Sequence, residues 1–190
     1  MTKPPGLTPS QTVGPYLTIA LTRDLITPRL VDPADPRAIR IHGVLSDGAG
    51  EPVQDGMIEI WQANAAGRYA HPADDRAEPA LEDGFLGFGR SGTVVGGRFE
   101  FVTVKPGCVP WPGGGLQAPH LEVGVFARGL LKHAVTRLYF PDEAEANAAD
   151  PVLAGLDDAA RATLVAVAED GGLRFDIRLQ GLGHTTFFAV

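Results

Sequence analysis

Few residues in this chain are placed to do chemistry. His120 and Glu122 stand two apart in the stretch His120–Phe126, where apolar Leu121, Val123 and Val125 alternate with the other residues. Period-two alternation predicts a strand, so the imidazole and the carboxylate share the face opposite the apolar one. Such a couple is either a pair of metal-ligand candidates or a hydrogen-bonded pair, and the second arrangement is the commoner. The one cysteine, Cys108, has no second thiol to join. It is read as a packed bystander rather than a reactive or metal-binding group. His42, His71, His133 and His184 have no partner at metal-ligand spacing and are read as surface or loop residues.

The elements that must position these groups are short strands. Ile39, Ile41 and Val44 open the first, which ends at the turn dipeptide Asp47-Gly48. Met57–Trp61 forms the second, with Ile58 and Ile60 on one face. A loop is expected over residues 64–92, where Ala, Asp, Pro and Gly dominate. Arg98–Val104 alternates cleanly around Phe99 and Phe101, and Lys105-Pro106-Gly107 ends it before an irregular, glycine-rich stretch. Thr136–Phe140 and Arg174–Leu179 read as further strands. Asp157 or Asp158 is placed to cap a short helix through about Ala168, and a turn or two of helix is expected over Asp142–Ala149. The fold class this implies is all-β: a β-sandwich with long loops and one or two short helices.

Composition narrows the function classes. The 24 glycines and 16 prolines suit a turn-rich fold. The net charge of −7 has no basic stripe within it, which argues against nucleic acid as a partner. Pro4, Pro5 and Pro9 stand where a secretory signal needs an apolar core, and no apolar run is long enough to span a membrane. A cytoplasmic, soluble protein of one domain, residues 1–190, is expected, with residues 1–16 forming an N-terminal arm.

Motifs spread along the chain carry a resemblance. Thr12-Val13-Gly14-Pro15-Tyr16, Ile60-Trp61-Gln62-Ala63-Asn64, Gly67-Arg68-Tyr69, Val104-Lys105-Pro106-Gly107, Pro119-His120-Leu121-Glu122, Phe126-Ala127-Arg128-Gly129, Arg137-Leu138-Tyr139-Phe140 and Arg174-Phe175-Asp176-Ile177 follow one another in order. Together they resemble the intradiol ring-cleaving dioxygenases, and within them the branch built from paired alpha and beta chains. The resemblance implies a β-sandwich and an Fe(III) enzyme that uses O2 to open a dihydroxylated aromatic ring between its two hydroxylated carbons. It also implies assembly of alpha-beta pairs into a higher oligomer.

In that family two tyrosinates and two imidazoles hold the iron. Tyr69 falls at the first tyrosine, but Val109 stands at the second, and the His-x-His pair reads His120 and Glu122. Tyr69, Val109, His120 and Glu122 are therefore read as vestigial positions, with no metal and no catalytic residue in this chain. The resemblance identifies an alpha-type, iron-free chain whose homologous beta partner holds the Fe(III). It implies that Thr12, Gly14, Pro15 and Tyr16 wall the partner's substrate pocket and that Arg128 supplies positive charge beside it. Arg128 read without the resemblance is a salt-bridge residue on a strand edge, and Arg137 and Arg178 are read as structural. Two other readings stand beside this one: a β-sandwich binding module without an enzymatic role, and a homo-oligomeric dioxygenase with a Tyr/His/Glu metal site.

Overall fold

The structure is a computed structural model that describes Leu21 and residues 28–189. Two sheets face each other. The strands in chain order are β1 (Ala38–Ser46), β2 (Met57–Trp61), β3 (Phe88–Gly92), β4 (Arg98–Val104), β5 (Val109–Pro110), β6 (Leu116–Gln117), β7 (His120–Phe126), β8 (Ala134–Tyr139), β9 (Val167–Glu169), β10 (Gly172–Arg174) and β11 (Ile177–Arg178). Helices are limited to α1 (Ala144–Ala149), a 3-10 turn at Leu153–Gly155 and α2 (Asp158–Ala162). One sheet is antiparallel in the order β3-β2-β7-β8. In the other, β1 runs antiparallel to β4 and parallel to β10 and β11, with β9 beyond β10.

Alternation decides which residues meet between the sheets. Ile41, Leu45, Phe99, Phe101 and Ile177 come from one sheet and Ile58, Ile60, Leu121, Val123 and Val125 from the other, all buried in one cluster. A second, smaller cluster gathers Ala118, Tyr139, Leu153 and Leu164 under the helical segment. This outer cluster braces the end of the sheet that carries His120.

The structure corrects four of the sequence expectations. The segment 64–92 is not loop throughout, because its last five residues form β3. Phe88-Gly-Arg-Ser-Gly92 carries no apolar alternation, and its strand form comes from pairing with β2, Met57 opposite Gly92. The stretch after Gly107 contains the small β5–β6 hairpin, where Val109 pairs with Gln117. The run 174–179 is not continuous strand. It follows β1 in one register, His42 opposite Arg174 and Leu45 opposite Ile177, but its ladder is interrupted where the Val44 N–H donates to the Asp176 side chain instead (3.1 Å). Finally, the capped helix starts as expected, with Asp157 accepting from the Ala160 N–H at 2.8 Å, but it stops at Ala162 rather than near Ala168. Beyond it Leu164 and Ala166 bond to the backbone of Tyr139, and sheet pairing outcompetes helix propagation.

Candidate functional site

A cleft of about 400 Å3 opens between Trp61, Tyr69, His71, Arg76, Val109 and Gln117. Backbone contact between two loops brings its walls together. Gly67 sits at φ +84°, and a Cβ there would lie 2.1 Å from the Cys108 carbonyl oxygen. Both Gly67 and Gly107 donate their N–H groups to the Asn64 carbonyl (2.9 and 3.0 Å). The buried Asn64 side chain in turn accepts from Ala66 and Arg68. The sequence Gln62-Ala63-Asn64 is thus a scaffold: Gln62 ties the end of β2 to Thr103 and Val104 on β4, while Asn64 ties it to the loop carrying Tyr69. Tyr69 then stacks on Trp61, with ring centroids 5.8 Å apart.

The structure brings three of the vestigial positions into one electrostatic neighbourhood and places the fourth in the cleft wall. His120 Nε2 lies 3.6 Å from Glu122 Oε1, beyond good hydrogen-bond range. Its other nitrogen, Nδ1, lies 2.7 Å from the Ala118 carbonyl, which can only accept, so Nδ1 carries the proton and Nε2 faces the carboxylate. The partner that Glu122 holds at contact distance is Arg137, directly opposite on β8, with Nη2 2.6 Å from the same Oε1. Arg137 Nη1 also donates to Gln117 (2.8 Å) and to the Tyr139 hydroxyl oxygen (3.3 Å). Tyr139 donates to Asp150, whose carboxylate accepts from the N–H groups of Ala118, Val152 and Leu153. A continuous polar network therefore runs from Glu122 to the buried Asp150.

Each ionisation state follows from this wiring. Burial pushes the Glu122 carboxyl up, but His120 and the Arg137 charge outweigh it and hold the group below the usual carboxylate range. Burial opposes the Arg137 charge, and Glu122 and Tyr139 together more than restore it. Tyr69 is pushed up to about 12, first by burial and then by the negative charge of Glu122. At neutral pH Tyr69 is therefore a neutral phenol, and Glu122 and Arg137 are a paired carboxylate and guanidinium.

Arg128 stands apart from this cleft, in the turn after β7. Its side chain is 82% exposed and pairs with Asp55 at 3.0 Å. Thr12, Gly14, Pro15 and Tyr16 lie outside the described residues. Cys108 is a free, partly buried thiol whose carbonyl receives the close approach of Gly67. Arg178 is structural, donating to the Gly48 carbonyl. His42 is on β1 rather than in a loop, 3.7 Å from Glu169, and His133 stacks on Phe126. The residue that sequence reasoning undervalued is Arg137. A usable signal existed: it alternates with Thr136 and Leu138, which puts its charge on the outward face that Glu122 also occupies.

This sandwich, with its cleft between the Gly67 and Gly107 loops and the start of β7, is of the intradiol dioxygenase type. The chain belongs to that family: the family model described as Dioxygenase matches residues 20–181. The chain is similar to the protocatechuate 3,4-dioxygenase alpha chain of Burkholderia cepacia, with 44% identity over 96% of this chain and 97% of that one. It is 37% identical to the beta chain of the same enzyme, over 81% of this chain and 68% of that one. Among solved structures, catechol 1,2-dioxygenase from Pseudomonas arvilla C-1 shares the fold, with a TM-score of 0.59 at 22% identity over 80% of this chain and 55% of that one.

The family is in general Fe(III)-dependent, but the residues here do not fit that ion. Ferric iron favours hard anionic donors. Val109 offers no donor, and the Glu122 oxygen nearest His120 is already held by Arg137. Among the described residues no group of three or more His, Cys, Asp or Glu side chains is arranged to hold a metal ion. Nor is any helix among them long and apolar enough to cross a membrane.

Proposed function

We propose that this chain is the iron-free alpha-type partner in a protocatechuate 3,4-dioxygenase, completing a substrate pocket whose Fe(III) the homologous beta chain holds. The observation that carries this reading is the near full-length likeness to an alpha chain, joined to a site of its own that cannot take the iron. The assembled enzyme converts protocatechuate and O2 to 3-carboxy-cis,cis-muconate, in the cytoplasm, as an oligomer of alpha-beta pairs.

In this reading the alpha chain binds, orients and excludes water, and carries out no oxygen chemistry. Thr12, Gly14, Pro15 and Tyr16 form an arm against the partner's pocket, where Gly14 and Pro15 permit close backbone approach. Arg128 offers its guanidinium to the ring carboxylate of the substrate. Its pair with Asp55 is exposed on both sides, so exchanging that partner for a substrate carboxylate costs little.

The test compares iron content, visible absorbance and protocatechuate turnover for the chain alone and after co-expression with its beta homologue. A colourless, inactive lone chain and a coloured, active pair are expected. Stoichiometric iron and turnover in the lone chain would favour the homo-oligomeric reading and sink this one.

A further inference from the structure

The outer face of the sheet β3-β2-β7-β8 carries a groove of about 180 Å3. Its walls are the half-buried Trp61, Phe88, Phe126 and Val135, with His133 stacked on Phe126. Strand register makes the hollow. Arg90, Glu59, Gly124 and Val135 form one row across the four strands, and the third of them has no side chain. The fold does not demand a glycine there. Gly124 has no positive φ, and a Cβ would come no nearer than 3.3 Å, to Phe126 Cε2. Both carboxylates at the groove are already neutralised, Glu59 by Arg90 Nε at 2.7 Å and Glu122 by Arg137 at 2.6 Å. What remains is an apolar, uncharged hollow, which favours an apolar, uncharged occupant.

The chain itself brings one to the rim. The Leu21 carbonyl accepts from Arg90 Nη1 at 3.1 Å, and the same guanidinium lies over the Phe88 ring at 5.5 Å. The four residues before it, Leu17-Thr18-Ile19-Ala20, carry no charge and include two large aliphatic side chains. Four residues reach at most about 14 Å, and the three strand spacings from β3 to β8 also come to about 14 Å. At β8 the far side is closed by the C-terminal segment, where the Phe188 N–H donates to the Val135 carbonyl at 2.8 Å. A tether this short gives residues 17–20 a high local concentration at the groove, ahead of any untethered ligand.

We propose that the groove over Gly124 is the seat of the chain's own residues 17–20, with Leu17 and Ile19 against Trp61, Phe126 and Val135. Seated there, the segment fixes the root of the N-terminal arm on the sheet and leaves the residues before Leu17 to reach a partner. The inference does not rest on the iron-free reading, and its test uses the full chain alone.

Hydrogen exchange read by mass spectrometry should show the amides of residues 17–20 exchanging at least about tenfold more slowly than in an unstructured peptide. Gly124→Val fills the hollow and should return them to the unstructured rate, while β2 and β7 keep their protection. Trp61 and Trp111 are the two tryptophans, so Trp111→Phe leaves Trp61 as the reporter in the groove. In that background Leu17→Ser/Ile19→Ser should shift the Trp61 emission to the red.

A wild-type segment that exchanges at the unstructured rate overturns the proposal, as does protection that survives in a folded Gly124→Val chain. If Gly124→Val fails to fold, the indole decides: a red shift upholds the seat and an unchanged emission overturns it. Protection that rises with protein concentration assigns the groove to a second copy, and protection gained only on adding the beta homologue assigns it to that partner; either result overturns the seat. Iron content tests the iron-free reading separately and is untouched by all of these outcomes.

Discussion

The Glu122–Arg137 pair shows how little a residue's type says about its role until its neighbour is known. A carboxylate at a metal-ligand position reads as a ligand, yet here it neutralises a guanidinium across a strand pair. Removing one partner of such a pair leaves the other poorly solvated and uncompensated. Because Glu122 is 31% exposed, the loss for Glu122→Gln should fall below that of a fully buried pair, at about 1–3 kcal/mol in denaturant unfolding at pH 7.

The same pair sets an acid dependence. The folded-state pKa of Glu122 lies below its unfolded value of 4.5, so its contribution is present above pH 4.5 and is lost as pH falls through the folded value. Glu122→Gln should therefore flatten part of the stability loss seen on acidification below pH 4.5. Tyr69 carries the opposite sign. Its folded pKa is raised from 10.0 to about 12, so its contribution holds below pH 10 and fades as pH rises toward 12. A phenolate absorbance titration of wild type against Tyr69→Phe should show the missing step near pH 12; a step near pH 10 would mean that the cleft is wetter than the geometry implies.

At the scale of elements, the site depends on two loops pressed together more than on any strand. Gly67 has the left-handed conformation, and a Cβ there would lie 2.1 Å from the Cys108 carbonyl oxygen, so both exclude a side chain. Gly67→Ala should destabilise the fold by roughly 2 kcal/mol or more, combining a strained φ with a backbone clash. It should also loosen the Tyr69–Trp61 stack, which near-ultraviolet circular dichroism would report. A melting temperature and aromatic signal equal to wild type would show that the two loops can part without consequence. Strands β2, β4 and β7 serve as the rigid frame, since their inward residues are locked in the core while their outward ends present Trp61, His120 and Glu122.

At the scale of the molecule, the chain carries the fold of a dioxygenase without the ligand set of one. In the proposed reading its function is exercised through an interface. Arg128, exposed and paired only with Asp55 at the surface, is the residue proposed to serve there. In the alpha-beta complex, Arg128→Ala should lower kcat/KM for protocatechuate by about 10- to 100-fold, as expected for a lost charge-assisted hydrogen bond, with iron content unchanged. Kinetics equal to wild type would return Arg128 to its surface pair with Asp55.

The sequence by itself determined the sandwich class, the inward faces of β2, β4 and β7, and the absence of a second tyrosine at Val109. These are period-two and residue-identity properties, and local sequence carries them. It also marked the helix start, because the Asp157 cap is a contact three residues long. Tertiary structure decided the rest. β3 exists because β2 offers it an edge, the expected helix beyond Ala162 yields to Tyr139, and the 174–179 run breaks where Asp176 reaches Val44. The pairing of Glu122 with Arg137 was likewise hidden, since the two are neighbours only through the register of β7 on β8. Partner choice across strands is a long-range property, settled when whole sheets find the register that buries their apolar faces.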